Sequence, residues 1–303
     1  MGSVLAVLVD PILPVFAILA FGFAMGRSGR ISVEEARLIN RFAMSVLLPI
    51  MIFGLIATAP VRSFSVVPLA VYAGAEALVF AAGFWLARVW LARPAPEALL
   101  LAFGGIFANN AFYVLPIARL LHGDAGALPV TAIVTLDATV TFAAAIVALQ
   151  VLSLGQVSLG MVAARLAGTP LLQAILAGFA VALAGVALPG PVKTFLDFNG
   201  AAAAPVALFA LGVVLSQTPF RADRTVAVFA GVKLVAFPAA VAVGLALFAG
   251  AAPGQELTLL GAAGPAGAMA FSLALLYGVR TDAIAQVIVW TSLLTLPTLA
   301  LLA

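Results

Sequence analysis

Apolar runs long enough to cross a bilayer alternate with short polar connections along the whole of this 303-residue chain. A hydrocarbon core of ~30 Å takes about 20 helical residues. Ten such runs can be drawn, near residues 4–25, 37–58, 65–90, 97–121, 127–152, 170–188, 195–216, 225–250, 256–278 and 282–302. The pattern predicts an all-α membrane protein with ten transmembrane helices. The first run, VLAVLVDPILPVFAILAFGFAMG, has no basic leading region and no small-residue cleavage site before a polar domain, so it reads as a span and not as a signal peptide. Between the fifth and sixth runs, QVSLGMVAARLAGTP suits a short interfacial helix around Arg165 and joins two halves, 1–155 and 156–303.

The halves repeat. A shift of 156 residues carries Pro14 onto Pro170, the Gly22–Phe23–Ala24 triplet onto Gly178–Phe179–Ala180, and Pro49 and Phe53 onto Pro205 and Phe209. The same shift carries Gly105 onto Gly261 and Asn109 onto Pro265. Five spans per half is an odd number, so the second half enters the membrane in the opposite sense. The expectation is a 5+5 inverted repeat, the plan of many secondary transporters.

Two spans are interrupted at matched points. GGIFANNAFYVLP, residues 104–116, places Asn109, Asn110 and Pro116 inside the fourth run. Asparagine is costly in hydrocarbon, and proline lacks an amide donor and clashes one turn back. The stretch predicts a helix to about Ala108, a loosened NNAFYV, and helix again near Pro116. Its partner is GAAGPAGAMAF, residues 261–271, with Pro265 amid small residues. Broken helices at equivalent positions of inverted halves point to a substrate site, and their positive N-terminal ends suit an anion such as a carboxylate. Taken singly, each of these residues also fits helix–helix packing. Their coincidence with the repeat favours the site.

Charge is scarce and informative. The chain is 65% hydrophobic and 8% charged, with a net charge of +3. Its basic residues sit at segment ends, which argues against a nucleic-acid partner. Arg27, Arg30, Arg37, Arg41, Arg88, Arg93, Arg165, Arg221, Arg224 and Arg280 fall on odd-numbered connections, against Arg62, Arg119 and Lys193 on even ones. The positive-inside rule then makes the odd-numbered connections cytoplasmic and places both termini on the outer face. Asp10 belongs near the outer end of the first span. Glu76, Asp137 and Lys233 lie within spans, where ionisable groups pair, line an aqueous path or carry ions. Glu76 and Asp137 are candidate proton-coupling carboxylates, equally suited to locking helices together, and Lys233 is a candidate positive charge toward a bound anion. With no cysteine and a single His122, disulfides, thiolate chemistry and multi-histidine metal sites are excluded. No nucleotide, hydrolase or metalloprotease motif appears, so neither an enzyme nor a cofactor is expected.

PVFAILAFGFAMGR, LLPIMIFGLIA, FANNAFYVLPIARLLHGDAG, PVALFALGVVLS, VKLVAFP and the closing GPAGAMAFSLALLYGVRTDAIAQVIVWTSLLTLPTL together resemble the auxin efflux carrier family, including its bacterial malonate and organic-acid carriers. The resemblance implies a fold like that of bile-acid sodium symporters and sodium/proton antiporters, with helices 4 and 9 broken and crossing. It implies an elevator motion, with scaffold helices in 4–58 and 170–216 and a transport domain in 65–152 and 225–302, and a homodimer through the scaffold. Asn109 or Asn110, Pro116 and Pro265 match the family's site, and Lys233 matches a basic residue of the eighth helix in bacterial members. The order Asn109–Asn110–Ala111 departs from the family's asparagine, small residue, glycine. The long loop of plant auxin carriers is missing, which speaks against auxin as the substrate. The expected function is secondary transport of a mono- or dicarboxylate, driven by a proton or sodium gradient or by the anion gradient and membrane potential alone. A sodium-coupled symporter or cation/proton antiporter of the same fold, or a non-transporting membrane receptor, are the alternatives.

Overall fold

The computed structural model describes residues 12–59, 65–154, 159–217, 222–250 and 252–302. Asp10, Arg62 and Arg221 lie outside the described residues. In chain order the helices are α1 (Ile12–Arg27), α2 (Val33–Phe42), α3 (Leu48–Ala57), α4 (Val66–Trp85), α5 (Ala95–Ile106), α6 (Leu115–Leu136), α7 (Phe142–Leu154) and α8 (Leu159–Ala167). They continue as α9 (Pro170–Ala184), α10 (Gly190–Ala201), α11 (Ala203–Gln217), α12 (Arg224–Gly231), α13 (Phe237–Phe248), α14 (Gln255–Ala263), α15 (Met269–Leu276) and α16 (Asp282–Leu302). Among the described residues there is no strand, only an isolated antiparallel bridge between Ala108 and Ala266.

Single turns of π-helix join α2 to α3 (Ala43–Leu47), α6 to α7 (Asp137–Thr141) and α12 to α13 (Val232–Ala236). The extra residue in such a turn re-aims side chains, and π-bulges are frequent at functional sites. Among the described residues five helical stretches are apolar and long enough to cross a membrane: Val33–Ala57, Gly126–Ser153 and Arg224–Phe248, which run across these turns, with Val66–Trp90 and Gly190–Gln217. The protein is therefore a multi-pass helical membrane protein. The remaining apolar helices are shorter, for local reasons. α9 stops at Ala184 because Gly185 takes a left-handed cap (φ 65°), four residues ahead of Pro189. Gly123 (φ 65°, ψ −158°) splits α6 in a conformation open essentially to glycine alone. α5 and α14 both stop mid-run, at Ile106 and Ala263.

The described helices form two compact units. The first comprises Met1–Phe64, Ala111–Thr135 and Arg165–Pro219. In it α1 and α11 touch backbone to backbone. A Cβ on Gly22 would fall on the carbonyl oxygen of Phe209, and one on Gly212 on that of Leu19. Small residues permit this approach, which is how helices associate where lipid tails compete with apolar side chains. α9 meets α3 in the same way, with Gly178 against Ile56 and the Phe53 carbonyl. A 156-residue shift turns the Gly22–Phe209 contact into the Gly178–Phe53 contact. At the start of α2, Ser32 and Glu35 form a reciprocal capping box.

The second unit comprises Ser65–Asn110, Leu136–Ala164 and Phe220–Ala303. Its core holds Tyr72, Phe103, Phe229, Phe237 and Lys233, each at 0% exposure. Arg93 ties the start of α5 to that of α12 through Glu97 (3.2 Å) and the Thr225 hydroxyl (2.6 Å). On α4 the buried positions Tyr72, Ala75, Glu76, Val79 and Gly83 fall on one helical face.

Candidate functional site

α5 ends because Phe107 turns extended (φ −69°, ψ 105°). α14 ends because Gly264 (φ −58°, ψ 156°) precedes Pro265, whose ring disfavours helical geometry one residue earlier. The two extended pieces pair. Asn109 N–H donates to the Pro265 carbonyl at 2.7 Å, and Gly267 N–H to the Phe107 carbonyl at 2.8 Å, on either side of the Ala108–Ala266 bridge. Ala266 N–H donates to Thr291 Oγ1 at 3.1 Å. A Cβ on Gly267 would run into the Phe107 ring, so this crossing needs glycine there. The residues that the repeat maps onto each other, Asn109 and Pro265, are thus in direct contact. The break is also tighter than NNAFYV suggested. It opens at Phe107, and Asn110–Val114 is a π turn leading into α6. Pairing explains this, since backbone groups unwound inside a membrane must find partners within the protein. For the same reason the amides of Asn109, Ala266 and Gly267 are spent on protein acceptors.

Behind the crossing lies Lys233, in the π turn of the α12–α13 span. Its Nζ donates to the carbonyls of Ala262 (3.0 Å) and, more loosely, Ile106 (3.4 Å), and stands 4.6 Å from the Phe237 ring centre. Both carbonyls belong to last turns, of α14 and α5, where acceptors lack intrahelical donors and the helix dipole is negative. One cation therefore caps both broken helices.

A buried polar group adjoins it. Asn110 Nδ2 donates to the Tyr72 hydroxyl (3.3 Å) and to Asp137 Oδ2 (3.4 Å), and Thr141 donates to Glu76 Oε2 (2.9 Å). Glu76 is 4% exposed, Asp137 2% and Asn110 1%. Glu76 and Asp137 stand within hydrogen-bond range of each other, and both lie in the electrostatic field of Lys233. Glu76 Oε1, Asp137 Oδ1 and Asn110 Oδ1 have no donor. A proton shared by the two carboxyls would satisfy the first two at once.

The structure thus gathers Asn109, Asn110, Pro265, Lys233, Glu76 and Asp137 in the second unit. Pro116 lies in regular helix near the start of α6, which belongs to the first unit up to Thr135, so it is not among the residues gathered at the crossing. The two asparagines differ. Asn110 is buried among the carboxyls, whereas Asn109 is half-buried at the crossing itself. Tyr72 and Thr141 escaped sequence reasoning. Their signal was spacing, because Tyr72 is one turn before Glu76 and Thr141 one turn after Asp137. Separately, the first unit contains an open cavity of about 450 Å³ whose lining includes Arg119, Lys193, Asp197 and Thr58.

The sequence model of the family described as Membrane transport protein matches residues 7–153 and 153–303. A Rhizobium meliloti (strain 1021) protein named "Putative malonate transporter" is 29% identical over 300 residues, covering 95% of this chain and 92% of the relative. A Saccharomyces cerevisiae protein named as an uncharacterized transporter is 32% identical over 130 residues, covering 42% of this chain and 20% of the relative.

Proposed function

The chain belongs to the auxin efflux carrier family of membrane transport proteins, and we propose that it is a secondary carrier coupling movement of a small dicarboxylate of the malonate class to a proton. It is a transporter and not an enzyme. The observation that carries the reading is the crossing of the two broken helices, with the half-buried Asn109 at the crossing and the next residue, Asn110, bonded to the buried Asp137. The name of the Rhizobium relative supports the dicarboxylate class.

The coupling follows from charge. With Lys233 carrying +1 and Glu76 and Asp137 both ionised, the group behind the crossing bears one net negative charge. An anion approaching Asn109 is then repelled in a medium that screens poorly. One proton on the carboxyl pair removes that charge, so proton and anion favour each other's binding by the same factor. Asn109 and the opened backbone near Pro265 hold the substrate. Lys233 supplies fixed positive potential through the ends of α5 and α14. Asn110 connects the crossing to the carboxyls through its bond to Asp137.

Ten spans in a 5+5 inverted repeat complete the proposal. The interchangeable Gly22–Phe209 and Gly178–Phe53 contacts, and the Asn109–Pro265 contact of equivalent positions, support it. An elevator mechanism assigns the first unit as scaffold and the second as the moving body. The division supports this, because 4–58 and 170–216 fall in the first unit while 65–152 and 225–302 fall in the second except for 111–135.

The test is malonate binding by purified protein across pH. Wild-type affinity is expected to rise on acidification. Glu76→Gln, which fixes that side chain in its neutral form, is expected to bind with a flattened pH profile. An unaltered profile in Glu76→Gln would return the carboxyl to a structural role.

A further inference from the structure

Where α5 and α14 break, backbone groups lose their helical partners and must find others within the protein. On the carbonyl side Lys233 serves both helix ends. On the amide side Asn109 and Gly267 each donate to a backbone carbonyl of the opposite broken segment, whereas Ala266 donates to a side chain, Thr291 Oγ1 on α16, at 3.1 Å. The hydroxyl is oriented for this. Its own proton goes back into α16, to the Val287 carbonyl at 2.7 Å with that of Ile288 at 3.1 Å, which leaves a lone pair for the amide. Thr291 is 0% exposed and Ala266 1%, so bulk water has no access to replace the oxygen. The 156-residue shift that matches Asn109 with Pro265 also carries Thr135 onto Thr291. Thr135 makes the same bond to the carbonyl four residues earlier, at 2.9 Å to Thr131 O.

We infer that Thr291 is a positioning residue of the substrate site, whose hydroxyl anchors Ala266 to α16 and thereby sets the Pro265 carbonyl and, through it, Asn109. The chain of bonds is short. Ala266 follows Pro265 directly and forms the bridge with Ala108, while the Pro265 carbonyl holds Asn109 N–H at 2.7 Å. Of these three amides only that of Ala266 has a side-chain acceptor, so Thr291 is the point at which a substitution outside the two broken segments loosens their crossing. Without the oxygen the Ala266 N–H is left buried and unsatisfied, and the segment gains by shifting toward another acceptor. Thr291 acts on the substrate through Asn109 and not by contact. Its effect on affinity rests on the carrier reading, whereas the anchoring of the crossing stands without it.

The experiment compares Thr291→Val, which keeps the shape and removes the oxygen, with Thr291→Ser, which keeps the oxygen. Purified full-length proteins are assayed for malonate binding and for hydrogen–deuterium exchange in peptides spanning residues 104–116 and 261–271. Thr291→Val is expected to bind malonate about tenfold more weakly than wild type, and Thr291→Ser within about twofold of it. Exchange in both peptides is expected to speed up in Thr291→Val and to stay at the wild-type rate in Thr291→Ser. In an Asn109→Ala background the Val substitution is expected to weaken binding by a much smaller factor, because residues acting through one another are not additive. A residue that merely stabilised the fold would weaken binding equally in either background. Thr291→Cys, whose sulfur is a far weaker acceptor, takes the place of Thr291→Val if the latter does not fold, with the same expectations. The inference is overturned if the variant without the oxygen binds and exchanges like wild type, if Thr291→Ser is impaired as much, or if the loss of affinity is the same with and without Asn109. The expected exchange pattern in a wild-type protein that binds no malonate would count against the carrier reading alone.

Discussion

The two neighbouring asparagines show how one residue step separates different tasks. Asn110 is buried and donates to both Tyr72 and Asp137. Truncating it leaves acceptors in a dry interior without their donor, a loss of about 1–3 kcal/mol. Asn110→Ala is therefore expected to lower Tm and weaken malonate binding together, as scanning fluorimetry and calorimetry would show. Asn109 holds the crossing through its backbone N–H, which alanine keeps. Asn109→Ala is expected to leave Tm near wild type and to weaken malonate binding at least tenfold, about 1.4 kcal/mol. A variant that binds normally would remove Asn109 from the site. Sequence could place both residues at a break, but not separate them. Which amide turns inward depends on the extended Phe107–Asn109 backbone and the π turn after it, and neither has a marker in the local residue pattern. Tyr72 and Thr141 were missed for a related reason. They look like ordinary helix residues until the carboxyls they serve are known to be buried.

Helix breaks were the most legible elements. A proline at 265 and asparagines at 109 and 110 located them through their match under the 156-residue shift, since each alone also fits helix–helix packing. The tightness of the crossing was not legible, since it arises from pairing between segments about 150 residues apart. Helix contacts in the first unit make a sharper prediction. Gly22 and Gly212 have backbone carbonyls where a side chain would stand, while Gly74 on α4 has nothing within 4 Å. Gly22→Leu or Gly212→Leu is expected to destabilise by about 1–3 kcal/mol or more, because overpacking forces backbone apart. Gly74→Ala is expected to leave Tm unchanged or slightly higher. Equal tolerance at all three positions, measured by thermal unfolding in detergent, would contradict the close α1–α11 approach.

For the whole molecule, composition and hydropathy alone made the chain a multi-pass membrane protein, and the 156-residue periodicity suggested how its halves correspond. The identity of the coupling ion was beyond the sequence. Glu76, Asp137 and Lys233 come from segments far apart in the chain, and only folding shows that the lysine caps two helix ends while the carboxyls stand together. That arrangement supports the central proposal, that the anion moves with a proton. The most direct test is malonate uptake into proteoliposomes with an imposed pH gradient, acidic on the side of the added substrate, in buffers containing choline in place of sodium. The account predicts saturable accumulation that collapses when an ionophore dissipates the gradient, is unaffected by adding sodium, and no longer follows the gradient in Glu76→Gln. Accumulation that requires a sodium gradient and ignores the proton gradient would contradict it.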